Sequence, residues 1–360
     1  MSVRSASVPA SPARPAKMKA LRKTRPAPGA ELVEVPVRAI GPREVLIRVE
    51  VAAICGSDGH VYGWGGAAAP ADLSLPFTMG HEFSGEVMEV GAQVTSLKLG
   101  DRVAGETHYP CGQCYQCQTG EQHICANMRL VGRTLDGCFA DYCVLPEICA
   151  RKIPDCIPSR QAALLEPLGV AVHAVTEAQV WGRPVVILGA GPIGLMAVAA
   201  ARQLGAAQVI ATARTPVKLE KALAMGATAA LNPRTEDVVK EVLRATGGVG
   251  AGAVIDFTGD PEALVQGFRM LRKGGRVVLV AAFGELSGLD SLRDIIWKEA
   301  KITGIHGRRM FDTWILAEGL LVSQSVDVSP VTGSTYPLEG FEAAFAEATT
   351  GSTGRVLLVP

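Results

Sequence analysis

The stretch VVILGAGPIGLMAVAAARQLGA, residues 185–206, runs from a β-branched apolar segment through a glycine turn into an alanine-rich helical segment. Its glycines, Gly189, Gly191 and Gly194, are spaced G-x-G-x-x-G. That spacing alone is a weak signal; a strand before it and a helix after it give it meaning. Gly189 makes the tight turn, Gly191 lets the backbone approach a pyrophosphate, and Gly194 lets helix and strand pack closely. Pro192 and Ile193 open the helix, whose N-terminus suits an anion. A dinucleotide-binding turn is expected, and with it a Rossmann-type, doubly wound parallel sheet.

The surrounding sequence agrees. Val185–Leu188, Gln208–Ala213, Ala253–Phe257 and Arg276–Ala282 read as buried strands, with helices over Pro192–Leu204, Pro216–Met225 and Pro261–Leu271 between them. Strands alternating with helices predict a parallel sheet covered on both faces. A helical stretch, Gln161–Ala178, precedes it. Upstream the texture differs. Glu31–Val37 and Glu44–Ala53 alternate apolar and polar residues around a Gly-Pro turn, and Gly85–Val90 and Arg102–Ala104 continue in short, glycine-punctuated pieces. This predicts a partly open β-barrel. Beyond about Arg308 the chain turns helical, and Gly354–Val359 reads as a strand returning to the first lobe. The expected fold class is α/β: a barrel domain over 18–168 and 313–360, a doubly wound domain over 169–312, and a disordered tail over 1–17.

An acid normally closes the second strand of such a domain, ~20 residues on, and binds the adenosine ribose. Here that position falls on Ala213, followed by Arg214 and, one turn later, Lys218. Without the carboxylate a 2′-phosphate meets no repulsion, and Arg214 offers it a fork of donors. NADP is therefore expected over NAD; an Arg214 pointing to solvent beside an NAD site is the alternative.

A second signal is CGQCYQCQTGEQHIC, residues 111–125. Disulfides fit poorly, since neighbours two residues apart bridge with strain. The spacing suits a tetrahedral ion held by Cys111, Cys114, Cys117 and Cys125, in a loop over about 106–126. A closed four-sulfur shell has no open position and would be structural. Free thiols, an iron–sulfur cluster and a nucleic-acid zinc knuckle are the alternatives. Lys+Arg and Asp+Glu both number 35, so the basic excess of a nucleic-acid binder is missing. The apolar runs are strand-sized, which argues against a membrane span. All nine cysteines lie between Cys55 and Cys156, and residues 1–17 lack the apolar core of a secretory signal. Both features favour a reducing cytoplasm and metal ligation.

A third group is CGSDGH, residues 55–60, with GHE at 80–82. Cys55, His81 and Glu82 are good zinc ligands, and three protein ligands leave a position for water or substrate. Glu166, in LLEPL, could be a fourth, exchangeable ligand or hold the zinc water. Taken singly, each of these residues is more often structural.

Together these pieces resemble the zinc-containing medium-chain alcohol dehydrogenases, from about Met18 to Pro360. Within that superfamily the chain most resembles the L-threonine 3-dehydrogenases, on CGSDGHVYGW (55–64), GHE (80–82), GDRVAGETHYPCGQC (100–114), GAGPIG (189–194) and GIHGRRMFDTW (304–314). EPLGVAVHA (166–174) is similar to the sorbitol and polyol dehydrogenases. The chain departs from the threonine dehydrogenases at Ser57, where Thr is usual, across 65–77, and at Val170, where Asn is usual.

The resemblance implies a GroES-like catalytic barrel, a Rossmann domain and a homodimer or homotetramer. It implies a catalytic zinc on Cys55, His81 and Glu82 with Glu166 nearby, and a structural zinc on the four-cysteine loop. The implied activity moves a hydride between a secondary alcohol, such as L-threonine or a polyol, and NAD(P). In that chemistry zinc acidifies the alcohol, Ser57 takes its proton and passes it to His60, and the carbon-bound hydrogen leaves as hydride to the nicotinamide. Two other classes share the fold: a zinc-independent quinone or enone reductase, and a non-catalytic nucleotide-binding homologue. Neither has a reason to keep two sets of metal ligands. The expected partner is a small alcohol or ketone, with no nucleic acid and no membrane. His108, His123, His173 and His306 are read as structural.

Overall fold

The computed structural model describes residues 14–64, 73–350 and 354–360. Most of the expected tail (1–13) and the first part of the departing tract (65–72) lie outside the described residues.

The strand Glu44–Ala53 is the hub of the first lobe. It pairs antiparallel with Glu82–Val90, with Tyr142–Pro146 and, at its far end, with Arg355–Val359. Alternation in the sequence predicts one buried face, yet most of the strand is buried. The reason is closure. Seven strands curl around a core that includes Ile47, Phe83, Phe139 and Leu145. A three-stranded sheet of Glu31–Pro36, Lys17–Lys23 and Phe77–Thr78 supplies Leu21 and Phe77 to the same core.

The second lobe is a six-stranded parallel sheet. Its spatial order is Ala229–Leu231, Gln208–Thr212, Pro184–Leu188, Ala251–Asp256, Leu271–Leu279, Lys301–Gly304. Every residue of Ala251–Asp256 is buried, as a strand covered on both faces requires. Strand order reverses between Pro184–Leu188 and Ala251–Asp256, and ligands bind outside the carboxyl ends of strands at such a switch point. The glycine turn sits there.

Two expectations change. The single helix expected over 161–178 is two, Ser159–Ala162 and Leu165–Glu177. Pro167 explains the break: its ring would clash with the carbonyl of Ala163 in a continuous helix, but fits the first turn of a new one. The second change concerns the domain boundary expected at 312/313. Helix Asp312–Val322 packs on Leu165–Glu177 and buries Trp314, Ala317, Leu320 and Leu321 in the core beneath the parallel sheet. On that packing we propose that the second lobe runs to the far end of the helix. No described helix is long and apolar enough to cross a membrane.

Candidate metal and nucleotide sites

Strand register builds the first site. Ala53 lies opposite Glu82, so Cys55, just past one strand, and His81, just before the other, leave the sheet at the same edge. Gly80 permits the approach: its φ is +90°, and an added Cβ would lie 2.3 Å from the Phe139 ring. One ligand atom each from Cys55, His81 and Glu82 falls within a 4.8 Å cluster. Asp58, in the first turn of helix Gly56–Gly63, accepts the Cys55 backbone N–H at 2.9 Å. Its other oxygen lies 3.4 Å from His81 Nδ1, without hydrogen-bond alignment. A carboxylate in that place orients a metal-binding imidazole.

Arg355, buried at the start of the closing strand, brings Nη2 to 2.9 Å from Glu82 Oε1 and 3.8 Å from Cys55 Sγ. The ion pair is close, yet neither Glu82 oxygen makes an aligned hydrogen bond. Burial pushes the Glu82 carboxyl well above the usual range, against the pull of Arg355. Burial also works to raise the Cys55 thiol, but Arg355 and His81 outweigh it and bring it down to about 6. Arg355 alone leaves both Glu82 oxygens without an aligned partner, and a metal ion shared with the thiolate and the imidazole would offset that cost. The donor set fits zinc.

Glu166 lies outside that cluster. Its Oε1 accepts from Thr107 Oγ1 at 2.8 Å and from Arg308 Nη1 at 2.6 Å. Burial opposes ionisation, but Arg308 and then His81 hold the Glu166 carboxyl down at about 2. Arg308 also grips Glu106, which accepts the His108 backbone N–H at 2.8 Å. Ser57 and His60 share the helix that Cys55 begins; His60 is exposed, and no hydrogen bond joins the pair among the described residues. The four remaining histidines form two edge-on ring pairs, His108 with His306 and His123 with His173.

The four-cysteine loop closes on itself. One ligand atom from each of Cys111, Cys114, Cys117 and Cys125 lies within a 4.8 Å cluster, and all four thiols are free of disulfides. Cys114 Sγ stands 3.5 Å from that of Cys117 and 3.7 Å from that of Cys125. A tetrahedral zinc with sulfurs at about 2.3 Å holds its ligands about 3.8 Å apart. The spacing fits. Backbone N–H of Gln113 and the Asn127 amide lower the Cys111 thiol to about 6, while burial and Cys114 push Cys117 up to about 12.

The nucleotide cleft, about 500 Å³, opens at the sheet's switch point. Gly189 has φ +90°, and an added Cβ would sit 2.7 Å from Thr258 Cγ2. At Gly194 a Cβ would lie 1.9 Å from Gly189 O, which is the close helix–strand contact the third glycine allows. At Gly191 a Cβ would meet no protein atom within 4 Å. Protein packing does not demand glycine there; the open space belongs to the cleft that Gly191 lines. Gly191 caps helix Pro192–Gln203, which Pro192 and Ile193 begin. Ala213, Arg214 and Lys218 line the cleft, joined by Arg234.

Arg234, Arg355, Arg308, Glu106, Thr107 and Asp58 join these sites through the fold and belong to none of the motifs' expected ligands. Only Asp58 carried a local signal, three residues after Cys55 where an acid can bond the helix-start N–H.

Residues 41–155 match the alcohol dehydrogenase GroES-like domain, and residues 192–322 match the zinc-binding dehydrogenase domain. An L-threonine 3-dehydrogenase of Bacillus licheniformis is 42% identical over 343 residues, 95% of this chain and 99% of its own length. A zinc-binding dehydrogenase of Sinorhizobium meliloti, solved bound to NADP, superposes with a TM-score of 0.88 at 31% identity, covering 96% of this chain and 99% of that one. The 2R,3R-butanediol dehydrogenase of Bacillus subtilis gives 0.87 at 30% identity, covering 95% and 99%.

The chain belongs to the zinc-binding alcohol dehydrogenase family and has L-threonine 3-dehydrogenases among its relatives. It is a zinc-dependent oxidoreductase that acts on an alcohol with a nicotinamide cofactor.

Proposed function

We propose that this enzyme oxidises a small secondary alcohol bearing a neighbouring amino or hydroxyl group, with NADP as hydride acceptor. L-Threonine and vicinal diols or polyols are the candidate substrates. In this reading each chain holds two zinc ions, one on Cys55, His81 and Glu82 and one on Cys111, Cys114, Cys117 and Cys125. The observation that carries it is the cluster of Cys55, His81 and buried Glu82 ligand atoms at the edge of the barrel, with neither Glu82 oxygen in an aligned hydrogen bond. When bound, zinc supplies Lewis acidity toward an alcohol oxygen, and the nicotinamide supplies the hydride acceptor.

The chain's own residues do the rest. Ser57, two residues past Cys55, takes the alcohol proton, and exposed His60 delivers it to solvent. Glu166, held ionised by Arg308, orients the open side of the site. Ala213 and Arg214 favour the 2′-phosphate of NADP, which the relative from S. meliloti is known to bind. The substrate class draws on the activities of the threonine and butanediol dehydrogenase relatives. A cytoplasmic setting is supported by nine free cysteines. A homodimer or homotetramer is supported by exposed Ile296, Trp297 and Ile302 beside the edge strand Lys301–Gly304.

Metal analysis with a substrate panel tests this. Two zinc per chain and NADPH formation from threonine, 2,3-butanediol or a polyol are expected. One zinc, with no turnover of any secondary alcohol, would leave only the four-cysteine site and end the proposal.

A further inference from the structure

Strands Gln208–Thr212 and Ala229–Leu231 end side by side, with Thr212 paired to Leu231. The Ala213 N–H donates to Leu231 O at 3.1 Å, which extends the pairing by one residue. The two loops that follow therefore leave the sheet together, and Arg214 from one and Arg234 from the other line the same cleft as Lys218.

None of these three cations forms an ion pair among the described residues. Other surface arginines do find acids: Arg244 pairs with Glu241 at 2.7 Å and Arg309 with Glu177 at 2.8 Å. Asp260, which lines the cleft, and Glu236, in the loop that carries Arg234, each accept backbone N–H groups and form no ion pair with the three cations. Asp260 caps its helix by accepting the Glu262 N–H at 3.0 Å, and Glu236 accepts the Asn232 N–H at 2.6 Å. Asn232 in turn accepts the Arg234 backbone N–H at 3.0 Å, so a formed turn presents Arg234. Burial and the neighbouring Arg214 pull Lys218 below the ordinary lysine value. Three like charges facing one cleft with a single acid, Asp260, repel one another, and a doubly charged anion among them turns that repulsion into attraction.

We propose that Arg234 is a selectivity residue of the nucleotide site, closing with Arg214 and Lys218 around the 2′-phosphate of NADP. The inference rests on the NADP reading above. Guanidinium groups from two loops can each present a fork of donors to phosphate oxygens. The sequence places Arg234 20 residues after Arg214, a separation that only the parallel pairing of the two strands brings together.

Calorimetric titration of the full chain with 2′,5′-ADP and with 5′-AMP isolates the 2′-phosphate and needs no turnover. The unmutated protein should bind 2′,5′-ADP the more tightly. Arg234→Gln should cut that preference by about tenfold, the weight of one charge-assisted contact. Arg234→Lys should restore part of it, and Arg244→Gln, at a paired surface arginine, should leave it intact. If Arg234→Gln keeps the full preference, the assignment of Arg234 is wrong while the NADP reading survives. If the unmutated protein shows no preference, both fall.

Discussion

Arg308 Nε donates to Glu106 Oε2 at 2.7 Å, and solvent reaches neither side chain. Glu106 follows a barrel strand and Arg308 follows the last strand of the parallel sheet. The same guanidinium reaches Glu166 at 2.6 Å, so a buried ionic knot joins the two lobes beside the proposed catalytic zinc. Two glycines make room for it: a Cβ on Gly169 would lie 2.9 Å from Arg308 Cδ, and one on Gly307 would lie 2.4 Å from the His108 ring.

Removing one side of such a knot strands the other. Arg308→Met should destabilise the fold by about 3–5 kcal/mol, because Glu106 is left buried and uncompensated. The sign of the pH dependence follows from the carboxylates. Arg308 holds Glu106 below the ordinary glutamate value of 4.5 and Glu166 at about 2. A depressed carboxylate stabilises the fold above its unfolded value and loses that contribution as pH falls through its folded value. The advantage of the unmutated protein should therefore be full at neutrality and shrink from about pH 4.5 toward 2. Melting curves of both proteins at stepped pH measure it; a constant gap would contradict the knot.

Cys125→Ser should lower melting temperature and zinc content together, since a structural thiolate site contributes folding free energy. The Cys125 sulfur also accepts backbone N–H groups from Cys111 at 3.2 Å and Asn127 at 3.3 Å. Half the zinc lost with unchanged melting would show that the loop holds itself.

Cys55→Ser should abolish turnover while leaving nucleotide affinity intact. Apart from Thr350, the residues lining the nucleotide cleft belong to the parallel-sheet lobe, and Cys55 belongs to the other. Turnover assays beside calorimetry with NADP decide it. A near-normal kcat would remove Cys55 from the catalytic site.

Ala213→Asp with Arg214→Val should reverse the cofactor preference in kcat/KM. The new acid accepts from the ribose hydroxyls and repels the 2′-phosphate, and the lost guanidinium takes about tenfold to a hundredfold in NADP affinity with it. Steady-state kinetics with both cofactors on both proteins read it directly. An unmutated enzyme that prefers NAD would place Arg214 away from the ribose.

Gly194→Ala should weaken nucleotide binding and stability at once. Its methyl would lie 1.9 Å from Gly189 O, so helix Pro192–Gln203 must move away from the strand and take the anion-binding N-terminus with it. Unaltered melting and NADP affinity would overturn this packing role.

What the sequence determined by itself was everything held within a short span of chain. The glycine turn is legible because Gly189, Gly191 and Gly194 do their work within six residues, between one strand and one helix. The thiolate loop is legible because its four sulfurs come from fifteen residues, close enough for one loop to gather. Cys55, His81 and Glu82 stood out as residue types, but bringing them together needed the pairing of Ala53 with Glu82 across two strands. The tertiary structure alone decided the charges around them. Arg355 approaches Cys55 from 300 positions away, and Arg308 finds Glu106 across 202. No periodicity or motif encodes such a meeting, because it follows from sheet closure and lobe packing. Arg234 reaches the nucleotide cleft for the same reason: strands adjacent in the sheet release their loops at one edge, whatever sequence lies between them.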